Sequence, residues 1–358
     1  MCVADALNFE TMQKPLKIFF LLALITIIIF PLYPIRGSAQ NVQPDTTKPV
    51  NNENEDSGSL SNAIKNFSGT AVRDVVYDSN INVQGNRQQL AMDIYEPAQS
   101  NGKKFPLVLL IHGGGFKGGN KKPLGAVCAV LADNGYVAVT IDYRLGWGGT
   151  RKVCSGDTVQ LKEAMYRALQ DAHSALSYLA RHANEYSINK DSVFIGGGSA
   201  GAVTALFTAY LSQYEAEVFF PGLAKELGDL DEDNKDAQSS YTLRGIISMW
   251  GAFVDPMLIT SSNALPTIFF QGEKDRAVPF DSGPYAPCPG TTKIYGTYPL
   301  YNRLKDLGVT TVAHVDPNGG HGVFSADFRI LNILCFLKSV REGKKKQLYL
   351  TGEQSSCN

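Results

Sequence analysis

Residues Ile195 to Gly201 read I-G-G-G-S-A-G and set a serine between two glycines where a hydroxyl could act as a nucleophile. Ser192 to Ile195 has the character of a short buried strand, and Ala200 to Leu206 carries small residues into a helix. A serine at such a strand-to-helix turn is held in a cramped conformation that exposes its Oγ, so the residues two positions either side must be tiny. Gly197 and Gly201 meet that need. The chemistry implied is attack by Ser199 Oγ on a carbonyl carbon while a neighbouring base takes the proton. A glycine-rich turn with an incidental serine would look the same in isolation, so the reading depends on the rest of the chain.

The second element is His112-Gly113-Gly114-Gly115-Phe116, directly after the apolar run Pro106 to Ile111. A tetrahedral intermediate places negative charge on the former carbonyl oxygen, and fixed backbone N–H groups stabilise it best. Glycines let the backbone come close without side-chain obstruction. The candidate donors are the N–H groups of Gly114 and Gly115, joined by that of Ala200 just after the nucleophile. A phosphate-cradling loop is the competing reading, but the G-x-x-x-x-G-K-[ST] pattern is missing.

An acid and a base follow in chain order. Pro266 to Phe270 reads as a strand, and the loop after it runs Gln271-Gly272-Glu273-Lys274-Asp275-Arg276. Asp275 is the candidate acid, with Glu273 on the same loop and Asp255 after the strand Arg244 to Trp250 as rivals. Thr310 to Val315 is another strand, and His321 follows it between Gly320 and Gly322. Among the five histidines, His173 and His182 fall on or at the end of a helix, His314 inside a strand, and His112 in the glycine loop. Position therefore singles out His321 as general base.

With these motifs in place, the chain resembles the α/β-hydrolase carboxylesterases and lipases that carry H-G-G-G-F with G-x-S-A-G. The resemblance covers roughly Val72 to Val340, and Gly135 to Leu145 and Tyr166 to Ala172 also match segments common in that family. It implies a serine ester hydrolase working through an acyl-enzyme on a small-molecule ester, with no cofactor and no metal. One departure is Gly198, where relatives often carry Asp, Glu or His. A peptidase of the same fold and a silent binding module are the alternatives. The first lacks room for a substrate-gripping propeller, and the second usually loses the nucleophile or the base.

The elements that must position these residues alternate between strand and helix, which predicts an α/β fold. The central sheet should be mostly parallel, with helices on both faces. Arg73 to Asp78 and Gln89 to Tyr95 read as an opening hairpin. Leu161, Ala164, Met165, Ala168, Leu169, Ala172, Ala175, Leu176 and Leu179 recur at helical spacing. The catalytic domain is expected over 69–345, followed by a C-terminal tail at 346–358. Tyr214 to Ser240 breaks the rhythm and is expected to form a small cap. Trp147 and Trp250, just beyond strand ends, are candidates to line the pocket.

The chain has 358 residues, 33 basic against 34 acidic, and a net charge of −1. That balance offers no electrostatic reason to expect nucleic acid or an anionic membrane surface as partner. Lys14 and Lys17 precede the apolar run Ile18 to Phe30, and Gly37-Ser38-Ala39 supplies small residues for a cut. This predicts a signal peptide over 1–39, started at Met1 or Met12, rather than a membrane anchor, because the apolar run is short for a span. Residues 40–68 are polar and expected to be a disordered linker. A secreted chain can keep disulfides. Connectivity cannot be read from sequence, but Cys154–Cys288 at the pocket rim, with two unlinked thiols on adjacent loops as the alternative, and Cys335–Cys357 at the tail are the candidate pairs, with Cys128 a buried free thiol.

Overall fold

The computed structural model describes residues 64–98, 101–148, 157–231, 240–286 and 290–357. Strands β1 (Thr70–Ile81) and β2 (Arg87–Glu96) form the opening antiparallel hairpin. Then come β3 (Phe105–Ile111), α1 (Gly125–Asp133), β4 (Val137–Ile141), α2 (Thr158–Arg181), β5 (Ile188–Gly198) and α3 (Ala200–Tyr210). Two short helices, α4 (Gln213–Phe219) and α5 (Leu223–Leu227), precede β6 (Leu243–Met249) and β7 (Thr267–Gly272). A small ribbon, β8 (Ser282–Pro284) with β9 (Lys293–Tyr295), leads to α6 (Thr297–Asp306). The chain then adds β10 (Thr311–Asp316), α7 (Ala326–Arg341) and β11 (Gln347–Thr351).

Nine strands make one sheet in the order β1-β2-β4-β3-β5-β6-β7-β10-β11. From β4 to β11 every neighbour runs parallel, and only the hairpin and its junction with β4 are antiparallel. The expected α/β fold is therefore present, with a core on each face. All seven residues of β3 are buried, and their side chains alternate. Leu107, Leu109 and Ile111 join the core under α2 and α3, whereas Val108 and Leu110 join the one under α1 and α7. A parallel strand covered on both faces must read as a continuous apolar run, and this one does. Burying each such side chain contributes roughly 1.5–3 kcal/mol.

Helix α2 begins where Asp157 accepts a hydrogen bond from the Val159 N–H, which satisfies an otherwise orphan donor. Its predicted apolar stripe is buried. The opposite side is covered too, because Tyr166 Oη and Gln170 Nε2 donate to the carbonyl of Gly228 after α5. Ser212 and Glu215 form a capping box that starts α4. The apolar run from Phe219 to Leu223 turns inward at Phe220 and Leu223, while Val218 stays exposed. The rest of the expected cap, 232–239, lies outside the described residues, as do Cys154 and Cys288 and with them the expected rim bridge.

The C-terminus departs from the expectation of a tail. Gln347–Thr351 pairs in parallel with β10 as the edge strand of the sheet. Its alternation of Gln347, Tyr349 and Thr351 outward with Leu348 and Leu350 half-buried spans only five residues and follows three lysines, so it reads weakly as a strand. Beyond it Cys357 is bonded to Cys335 of α7, and Cys128 is a buried free thiol. The bridge holds Ser356 inside, where its N–H and hydroxyl donate to Asn332 Oδ1 at 2.7 and 3.0 Å. Ser356 Oγ also lies 3.2 Å from Nε2 of His314, which stacks on Phe270.

Two stability outcomes follow. Replacing Cys335 and Cys357 by serine opens a loop with a sequence separation of 22 and should lower stability by about 3 kcal/mol, read as a lower urea midpoint. Burial depresses the His314 pKa from 6.5 to about 4. A depressed pKa means the unfolded chain binds a proton that the native state refuses, so this contribution is complete above pH 6.5 and is lost as pH falls towards about 4. A His314→Gln variant should show a flatter stability curve across that window. An unchanged slope would contradict the assignment.

Candidate active site

The nucleophile turn is built by exclusion. Strand β5 ends at Gly198, α3 begins at Ala200, and Ser199 between them has φ 54° and ψ −121°. A Cβ on Gly197 would lie 2.2 Å from the Ile111 carbonyl oxygen at the end of β3, and one on Gly201 would lie 2.0 Å from the same atom. Neither position tolerates a side chain, as the spacing predicts. The Ser199 N–H donates to the Met249 carbonyl at 2.9 Å, which fixes the turn against the end of β6.

Asp275 sits in the turn after β7 with its side chain fully buried. Oδ1 accepts from the N–H groups of Ala277 and Val278 at 2.8 and 3.0 Å, and Oδ2 accepts from Gln271 Nε2 at 2.8 Å. Gln271 is itself buried, donates to the Val278 carbonyl and accepts from Thr297 Oγ1. The rivals fall away on geometry. Glu273 is exposed, and the Asp255 carboxylate accepts from the Met257 N–H at 2.8 Å to start a short 3-10 turn.

His321 is delivered by the loop after β10. A Cβ on Gly272 would lie 2.4 Å from the carbonyl oxygens of both Gly319 and Gly320, so the acid and histidine loops interlock backbone on backbone. The N–H of Lys274 donates to Gly319 and that of Glu273 to Asp316 across this contact. The result brings three expected residues together. His321 Nδ1 is 2.8 Å from Asp275 Oδ2, and its Nε2 is 2.9 Å from Ser199 Oγ. Such a chain can strip a proton from the serine while the carboxylate holds the imidazole in one tautomer.

The glycine loop lies over the serine. A Cβ on Gly113 would be 2.9 Å from the Gly198 carbonyl oxygen and 3.4 Å from Ser199 Cβ. Gly114 and Gly115 have φ of 111° and 62°, conformations open to glycine. Among the described residues no backbone carbonyl accepts from their N–H groups, and as the first residue of α3, Ala200 has no intrahelical acceptor for its own. Gly113, Gly115 and Gly118 are also spaced G-x-G-x-x-G. Helix α1 nevertheless starts only at Gly125, after a 3-10 turn at Lys122–Leu124, so these glycines do not open a helix as a dinucleotide site requires.

Trp250 has its ring edge-on to His321 at 6.0 Å. Trp147 is buried beside Tyr285, which also contacts Phe116 of the glycine loop at 5.9 Å. Tyr285 also lines a small, mostly apolar pocket, together with Leu161, Met165, Phe207, Phe220, Val254 and Ile294. Sequence reasoning missed Gln271, whose signal was an amide at the end of an otherwise apolar strand. Among the described residues no group of three His, Cys, Asp or Glu side chains could hold a metal, and no helix is long and apolar enough to cross a membrane.

Esterase 2 of Thermogutta terrifontis superposes on 77% of this chain and 93% of its own, with a TM-score of 0.50 and 19% identity. The chain has the α/β-hydrolase fold. The BD-FAE family model matches residues 92–253 of this chain. It is 31% identical over 154 residues to fumonisin B1 esterase of Sphingopyxis macrogoltabida, a match covering 40% of this chain and 28% of that one. It is 35% identical over 133 residues to carboxylesterase 5A of Mus musculus, covering 36% and 22%. With an acetyl esterase of Salmonella schwarzengrund the identity is 31% over 105 residues, covering 29% and 28%. The chain thus spans less than a third of the length of these curated relatives.

The steric argument has a direct test. Gly201→Ala would drive a methyl group into the Ile111 carbonyl and should destabilise by roughly 3 kcal/mol or more, in the range of severe backbone and core defects. Chemical denaturation measures it, and a midpoint equal to that of the parent would refute the packing.

Proposed function

We propose that this hydrolase is an exported serine carboxylic-ester hydrolase acting through an acyl-enzyme on short- to medium-chain esters, including acyl groups carried on carbohydrate. The observation that carries the reading is the unbroken line from buried Asp275 through His321 to Ser199 Oγ, with gaps of 2.8 and 2.9 Å. Ser199 Oγ attacks the ester carbonyl as His321 Nε2 takes its proton. The developing oxyanion is met by the N–H groups of Gly114, Gly115 and Ala200. His321 returns the proton to the leaving alcohol, and water then hydrolyses the acyl-enzyme by the same steps.

The names of the similar proteins, an acetyl esterase and a fumonisin B1 esterase among them, support ester rather than amide substrates. Trp250 beside His321 offers an aromatic surface to the alcohol side of the substrate. Export is supported by the basic and apolar segment Lys14 to Phe30 and by the Cys335–Cys357 bond, which persists in oxidising compartments.

Ser199→Ala should lower turnover of a chromogenic short-chain ester by several orders of magnitude, about 10⁶-fold where a triad serine acts as part of a unit. Near-normal rates in the purified variant would sink the activity. A rate profile over acyl length that peaks at long-chain triglycerides would overturn the chain-length claim alone.

A further inference from the structure

The segment Asp142–Trp147, just after β4, grips the glycine loop along its length. At the start of the loop, Tyr143 Oη donates to the His112 carbonyl at 3.2 Å and its ring stacks on the His112 imidazole at 4.4 Å. In the middle, the Phe116 carbonyl accepts from the N–H groups of both Gly146 and Trp147 at 3.0 Å. Next to it, Lys117 Nζ lies over the Trp147 ring, 3.9 Å from its centre. At the far end, the Lys121 N–H donates to Asp142 Oδ1 at 2.8 Å.

The gripping segment is itself immobilised. Tyr77 Oη donates to the Asp142 carbonyl at 2.6 Å. The Arg144 N–H donates to Asp171 Oδ2 of α2 at 2.6 Å, and the buried guanidinium pairs with the same carboxylate. The loop it holds carries positive φ at Gly114, Gly115, Phe116 and Gly119. Phe116 is costly there, since an L residue with a side chain disfavours that region. A loop in such a conformation needs restraint from outside to keep its N–H groups on one target.

From this geometry we infer that Asp142 and Tyr143 are positioning residues, which hold the Gly114 and Gly115 N–H groups where the transition-state oxyanion forms. This rests on the ester-hydrolase reading above. A brace acts on the charge that develops during reaction and hardly at all on the resting ester, so its loss falls on kcat rather than KM.

The test compares Tyr143→Phe, Asp142→Ala and Asp142→Asn with the parent protein. Tyr143→Phe keeps the ring and loses the hydroxyl. Asp142→Ala removes the acceptor for the Lys121 N–H, and Asp142→Asn retains one. For Tyr143→Phe and Asp142→Ala, kcat on a short-chain ester should fall about tenfold with KM held, a smaller loss than deleting an oxyanion donor outright. Inhibition by a trifluoromethyl ketone, which forms a hemiketal oxyanion on Ser199, should weaken by the same factor while the melting temperature stays with the parent. Asp142→Asn should recover most of the rate.

Unchanged kcat, or a lower kcat with undiminished ketone inhibition, would overturn the inference. So would a loss in Asp142→Asn equal to that in Asp142→Ala. If Tyr143→Phe fails to fold, the two Asp142 variants decide alone. Failure of the parent protein to turn over any ester would count against the activity itself, a result distinct from these.

Discussion

The site depends on how closely two backbone segments approach one carbonyl. The Ile111 oxygen stands 2.0–2.2 Å from where the Cβ atoms of Gly201 and Gly197 would be, so β3, the end of β5 and the start of α3 close together only with glycine at both positions. That closure forces Ser199 into a conformation with φ 54°, which costs of order 1–3 kcal/mol. The surrounding core supplies more than enough to offset it, since Ile195, Val203 and Leu206 are essentially fully buried. The same closure places Gly113 within van der Waals reach of Ser199. The Ser199 turn and the glycine loop over it are therefore consequences of a single packing event.

A second glycine contact does the same for acid and base. Gly272 meets Gly319 and Gly320, which carries the end of β7 against the loop after β10 and lets Asp275 reach His321. A carboxylate with no solvent exposure would be strongly disfavoured unless its oxygens were satisfied. Two backbone N–H groups and the Gln271 amide do this, leaving Oδ2 in contact with the imidazole as well. The His321 side chain is 27% exposed whereas that of Asp275 is 0%. One end of the hydrogen-bonded chain is dry and fixed, and the other opens toward solvent.

Local chemistry was legible in the sequence, and contacts between distant segments were not. Gly197, Ser199 and Gly201 announce their turn because sterics act within four residues, and His321 stands out by following a strand between glycines. Asp275 and Glu273 share a loop and the same place in chain order, so nothing local in the sequence separates them. Their opposite burial decides it. Gln271 and Tyr143 act only through partners that folding brings to them, and a lone amide or tyrosine carries no mark of that. The strand β11 hides behind Lys344, Lys345 and Lys346, since as an edge strand it buries only half of its alternate side chains.

Gly198, the departure from the family pattern, gains an account from its surroundings. A Cβ there would stand 3.3 Å from Trp250 Nε1 and 3.5 Å from its Cζ2, so the indole occupies the space that a larger residue before the serine would need. Trp250 holds a left-handed conformation with φ 45°, has the Arg329 guanidinium 5.1 Å from its ring centre and turns its ring toward His321. The glycine at 198 and the tryptophan at 250 are thus two halves of one packing arrangement. Relatives with an aspartate or glutamate at the first position would put a second negative charge close to the nucleophile. Here that volume is filled by an aromatic ring, and Asp275 is the carboxylate bonded to the histidine. The indole is also half-exposed beside the imidazole, so the packing that excludes a side chain at 198 sets a flat apolar surface next to His321.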